Sequence, residues 1–260
     1  MNKKVALCLH GLVGNLEKYG KGAVIPYKLV YDSYIQNLYD KSIEIDVFIH
    51  SWSMDLEDEI KLLYSPKSSI FEKQKMFVDE KIIGKKEFSV TSRFYSLMVS
   101  NSLKIEHEKN KGFVYDYVLM GRFDVLLNKK IDFRKINNKY FYLPSPTNPH
   151  GSSCKCDFCD RHGNHPQMND LIFLSSSRNM NIFSSLYSNL NEYGRETGHT
   201  VVASHMRKTG LIDIAADYFK QIPPKYPNLW TKIGMNANIY CETDTPLVRR
   251  SAMGLHLKIV

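Results

Sequence analysis

Short apolar runs recur along the chain, separated by stretches with helical spacing, and this constrains the fold more than any other feature. Val5-Ala6-Leu7-Cys8-Leu9 is too short for a helix and reads as a buried strand. A turn-rich segment, His10-Gly11-Leu12-Val13-Gly14-Asn15, follows it. Tyr27, Val30, Tyr31, Tyr34, Ile35 and Leu38 then return at helical period. Asp46-Val47-Phe48-Ile49-His50 reads as a second strand, and a mixed, charged stretch runs on to about Glu87. A helix is predicted over Ser92–Lys109, with Ser92 or Thr91 as its cap. Tyr115 to Leu127 is apolar and β-rich, broken only at Gly121-Arg122-Phe123-Asp124. Further strands are expected at Tyr140–Leu143, Asp170–Leu174 and Ile212–Ala215, with helices at Met180–Leu190 and Thr200–Lys208. Beyond Gln221 the sequence is irregular. The alternation predicts a mainly parallel sheet covered by helices.

At 260 residues the chain has room for one sizeable core, so residues 1–260 are expected to form a single domain. Its net charge of +8 favours an anionic partner: nucleic acid, nucleotide phosphates or an acidic membrane face. The basic residues are scattered rather than gathered in a block, so they equally serve as a solvating surface. No apolar run approaches the roughly 20 residues that span a bilayer. The Met1-Asn2-Lys3-Lys4 start passes directly into the first strand, without the h-region of a secretory signal; a cytoplasmic protein is expected.

Two segments offer chemistry at strand ends. After the first strand, His10 and Gly11 lie where open α/β sheets bind ligands, and Gly11 and Gly14 allow the backbone to approach a base or ribose. The same residues also suit an ordinary tight turn. A hydrolase oxyanion loop requires a Gly-x-Ser-x-Gly elbow, and a P-loop requires Gly-Lys-Ser/Thr; the chain has neither. In the later strand, Arg122 and Asp124 stand two residues apart and share a face. A carboxylate there suits a hard divalent cation and the arginine suits phosphate; a local ion pair at the sheet edge is the competing reading.

Asp46-Val47-Phe48-Ile49-His50-Ser51-Trp52, Ser92-Arg93-Phe94-Tyr95-Ser96, Tyr115-Asp116 through Arg122-Phe123-Asp124, and Asn169-Asp170 occur in an order that resembles a family of bacterial and viral GT-A-like glycosyltransferases. The resemblance covers roughly residues 5–210. It implies a Rossmann-like GT-A fold, a nucleotide-sugar donor, a glycan or glycoconjugate acceptor, and often Mn²⁺ or Mg²⁺. Arg122-Phe123-Asp124 takes the place of the usual Asp-x-Asp, with an arginine at its first position. Carried over residue by residue, Asp124 becomes the metal or ribose-phosphate ligand and Arg122 a donor contact. His10 and Gly11 border the nucleotide, and Arg93 and Ser96 reach the donor from a helix. Asp170 becomes the acceptor contact or catalytic base, since an inverting transfer needs a carboxylate to take the hydroxyl proton. His256 is a further metal ligand.

Of the five cysteines, Cys8 belongs to the first strand and Cys241 stands alone. Cys154, Cys156 and Cys159 crowd with His162 and His165 in a Pro-, Gly- and Ser-rich loop over residues 144–167. A tetrahedral Zn²⁺ needs four such ligands, so a structural zinc and a lid with reduced thiols are both open readings. The expected function is transfer of a sugar from a nucleoside diphosphate to a glycan hydroxyl. A nucleotidyltransferase of similar fold and a zinc-containing nucleic-acid adaptor are its rivals.

Overall fold

A computed structural model describes residues 2–13, 26–77, 85–125, 127, 130–143, 172–193 and 198–215, with side chains of the third helix from residue 88 onward. Its centre is a five-stranded sheet. β1 (Lys3–Gly11) leads through α1 (Tyr27–Leu38) to β2 (Ile43–Ser51). A short 3₁₀ turn and α2 (Glu57–Tyr64) lead to the edge strand β3 (Ser68–Phe71). The long α3 (Lys85–Lys111) returns the chain to β4 (Tyr117–Arg122). β5 (Phe173–Ser175), α4 (Ser177–Ser184), a second 3₁₀ segment and α5 (Gly198–Lys208) complete the set.

The strand order is β3-β2-β1-β4-β5. The first four strands are mutually parallel, and β5 runs antiparallel to β4. This is a mostly parallel α/β sheet of Rossmann-like layout, flanked by helices. β1 is buried from Val5 to His10 because it has strands on both edges and helices on both faces, which explains its unbroken apolar run. Residues two apart share a face. Leu9 and Gly121 face α1: a Cβ built on Gly121 would lie 2.5 Å from the Tyr34 hydroxyl, so a larger residue there would require the buried Tyr34 to shift. Cys8, Phe48 and Met120, and above them His10, His50 and Arg122, form registered rows on the opposite face, beneath α3.

Several boundaries differ from the sequence reading. His10 and Gly11 are the last residues of β1 rather than the start of a turn, paired with His50 and Ser51 of β2. α3 begins at Lys85, so Thr91 and Ser92 are buried interior positions, not caps; Ser92 Oγ accepts a hydrogen bond from Gln74 Nε2 at 2.9 Å. The charged stretch before Glu87 contains α2, held by buried Ile60 and Tyr64, and the partly exposed β3. Tyr140–Leu143 makes two isolated bridges, Phe141 to Ala215 and Tyr142 to Leu174, instead of a strand. Leu211–Ile214 is a 3₁₀ turn: two β-branched isoleucines suggest a strand, but local i→i+3 bonds such as Ala215 N to Ile212 O at 3.2 Å prevail. Asp170, Gly14, His256 and the Cys154–His165 cluster lie outside the described residues. Among the described residues no helix is long and apolar enough to cross a membrane.

Candidate ligand site at the carboxyl end of the sheet

The strand order reverses direction between β1 and β4, since the chain leaves β1 toward β2 on one side and later adds β4 on the other. In open α/β sheets the crevice beyond the carboxyl ends at such a point is where ligands bind. His10 and Gly11 end β1, and Arg122 ends β4 in register with His10. Ser51 ends β2. α3 supplies Arg93 and Ser96 from the same face.

A chain of hydrogen bonds fixes the exit of β1. Ser96 Oγ accepts from Gly11 N at 2.8 Å and lies 2.6 Å from His50 Nδ1. His50 Nε2 lies 3.1 Å from Glu72 Oε1, just past β3. A carboxylate only accepts, so Nε2 carries the proton and Nδ1 accepts from the Ser96 hydroxyl. On the other side of Gly11, Ser51 Oγ donates to its carbonyl at 2.9 Å, and Ser53 Oγ accepts from Val13 N at 3.0 Å. Gly11 has φ +104°, a left-handed conformation that glycine adopts without strain. Three serines and a histidine from three elements thus hold one turn.

Arg122 and Asp124 meet, although the strand ends at Arg122 and Asp124 already belongs to the following turn. Arg122 Nε donates to Asp124 Oδ1 at 2.7 Å, and Nη2 donates to Oδ2, a two-pronged pair. Both carboxylate oxygens therefore carry a guanidinium donor. Among the described residues no three His, Cys, Asp or Glu side chains gather as a metal-binding group. In this arrangement the positive charge beside Asp124 is supplied by Arg122.

His10 is the anomaly of the site. It is 1% exposed, and neither ring nitrogen has a hydrogen-bond partner among the described residues. Burial holds its pKa well below the ordinary histidine value, and the positive charges of Arg122 and Arg93 push it further down, with a smaller push from His50. The imidazole is neutral in a positive field.

Of the residues singled out in the sequence, His10, Gly11, Arg93, Ser96, Arg122 and Asp124 converge on this end of the sheet. Glu72, Ser51 and Ser53 were not singled out, nor was His50 as a site residue. The signal for His50 was its place as the last polar residue of an apolar strand; nothing local marks Glu72. Trp52 follows β2, is 5% exposed with its indole N–H unpartnered among the described residues, and stacks on Tyr95 at 5.5 Å. No known protein-family model matches the chain, and no curated protein matches it.

Proposed function

We propose that the chain is a glycosyltransferase of GT-A type that binds a nucleoside-diphosphate sugar at the carboxyl ends of β1 and β4 and transfers the sugar to a hydroxyl of a glycan or glycoconjugate. One observation carries the reading. Three segments that bear the family resemblance and lie far apart in sequence, Asp46–Trp52, Ser92–Ser96 and Arg122–Asp124, meet around the end of β1. His50 bonds Ser96 at 2.6 Å, and His10 is in register with both His50 and Arg122.

In this reading the acceptor oxygen forms a bond to the anomeric carbon as the bond from that carbon to the diphosphate oxygen breaks. The diphosphate leaves with its negative charge, and the Arg122 guanidinium, always charged, offsets it. Asp124 holds that guanidinium in one orientation through its two hydrogen bonds. The hydroxyl proton passes to a carboxylate in an inverting transfer, and Asp170 is proposed for that role. Mn²⁺ or Mg²⁺ remains part of the family expectation, and no step here is routed through it. The protein is proposed to act in the cytoplasm, where nucleotide sugars are the substrates.

The test is a panel of nucleotide sugars with mixed glycan acceptors, with and without Mn²⁺, analysed for released nucleoside diphosphate and glycosylated product. Turnover is expected, and Arg122→Ala should lower it about a hundredfold, the scale of losing one electrostatic donor at a reacting oxygen. Pyrophosphate release from a nucleoside triphosphate plus a sugar phosphate would instead identify a nucleotidyltransferase. Salt-dependent binding of a random oligonucleotide with no turnover would identify a nucleic-acid adaptor.

A further inference from the structure

Burying an imidazole with both nitrogens unmet costs free energy that an apolar side chain of similar size does not incur. Native proteins keep few such groups, and each has a cause. His10 sits in a central strand, its backbone fixed on both sides by ladder pairs. A neutral ring carries one N–H donor and one acceptor. Arg122 of β4 and the neutral His50 of β2 flank it in the ladder, and the charge of Arg93 of α3 also acts on it. Arginine presents donors only. His50 has both nitrogens engaged, by Ser96 and Glu72. None of these three groups can accept from the imidazole N–H, so that donor calls for an acceptor, and the neighbouring guanidinium groups favour an anionic one.

We infer that His10 is the buried hydrogen-bond partner of a phosphoryl-type oxygen, with Arg93 and Arg122 as the cations nearby. The inference rests on the nucleotide-sugar reading for the ligand's class; the unpartnered ring itself does not depend on it. In the absence of ligand the ring contributes instability. In the presence of ligand it donates to the oxygen while the two guanidinium groups balance the charge. The chain keeps a polar residue at a position where its own fold would be better served by leucine.

This predicts opposite effects on stability and on binding, which a structural histidine does not produce. His10→Leu should raise the Tm of the ligand-free protein by about 2–4 °C. The same change should weaken binding of inorganic pyrophosphate, measured by titration calorimetry, roughly tenfold to a hundredfold. His10→Gln, which keeps a donor, should retain part of that affinity. In the wild type, pyrophosphate should shift the ring resonances of His10 in NMR spectra, a measurement that needs no variant. A lower Tm in His10→Leu, unchanged affinity, unshifted ring resonances, or no pyrophosphate binding by the wild type overturns the inference. The arms separate the two proposals. If UDP, GDP, CDP and ADP bind equally well to wild type and His10→Leu, the role of His10 falls and the transferase reading stands. If pyrophosphate binds through His10 and no nucleoside diphosphate does, the role of His10 stands and the transferase reading falls.

Discussion

Helix α3 carries polar side chains into the interior at two places about 12 Å apart, and they are treated in opposite ways. Toward the helix's carboxyl end, Lys104 is fully buried, and its ammonium spends all three donors: on Glu108 at 2.9 Å, on Asn181 at 2.8 Å and on Ser177. Glu108 in turn accepts from Tyr115 N at 2.9 Å, and Asn101 donates to Asn181 and Ser184. Of the buried side-chain atoms in this cluster only Asn101 Oδ1 lacks a partner among the described residues. Beside it, burial pushes the Cys8 thiol up to about 12, which leaves it unreactive. At the other place Ser96 and His50 are closed into a chain, but among the described residues His10 is left with neither nitrogen met. The closed cluster locks α3 onto α4, whereas the open one lies at the strand ends where a ligand can complete it. A buried polar group left incomplete is informative because the same helix shows that the fold is able to complete one.

The closed cluster is expected to be the more damaging to break. Lys104→Met leaves the 7%-exposed Glu108 without its counter-charge, and breaking a buried pair in this way costs about 3–5 kcal/mol. Adding Glu108→Leu should recover much of the loss, because the uncompensated carboxylate is then gone. Urea unfolding of the two variants checks this, and a single-variant loss below about 1 kcal/mol would show that the cluster is not what locks the helices.

A smaller effect is expected from pH. His10, His50 and His205 all have pKa values pushed below the ordinary 6.5, in each case chiefly by burial. His205 is held neutral between Tyr193 Oη at 2.9 Å and the Ile182 carbonyl at 3.1 Å. Below pH 6.5 the unfolded chain binds protons that the folded one does not. Stability should therefore be flat above that pH and fall as the pH drops from 6.5 toward each folded pKa. The slope is up to about 1.4 kcal/mol per pH unit for each histidine. His10→Leu should remove one histidine's share of the slope. Equal stability at pH 7.5 and 5.5 would contradict the buried, neutral assignment.

Much of this architecture was legible before any coordinates. β1 and β2 announce themselves because a strand buried on both faces must be apolar without interruption, and α1 because Val30, Tyr34 and Leu38 keep one face buried. The edge of the sheet was not legible. β3 is Ser-Ser-Ile-Phe with no fully buried position, so its pattern carries no period. Thr91 and Ser92 look like a helix cap because caps use those residue types, but tertiary packing absorbed them into the helix. In the site, His10 and Arg122 were accessible to sequence reasoning because strand ends are. The Glu72–His50–Ser96 chain was not, since its members are 22 and 46 residues apart and only the register of the sheet aligns them.

The central claim is that the carboxyl end of the sheet, and not its opposite end, takes the ligand. A pocket at the opposite end is lined by Asp40, Lys130, Asp132 and Arg134, whose acids and bases pair with one another. Amide hydrogen exchange, measured with and without a saturating nucleoside diphosphate, distinguishes the two ends in one experiment. The account predicts slowed exchange at Gly11 and Val13, whose amides bond Ser96 and Ser53, and across Arg122–Asp124, with no change around Ile43 or Lys104. Slowed exchange at Ile43 and Ile131 instead, or no slowing with any nucleoside diphosphate, would contradict it.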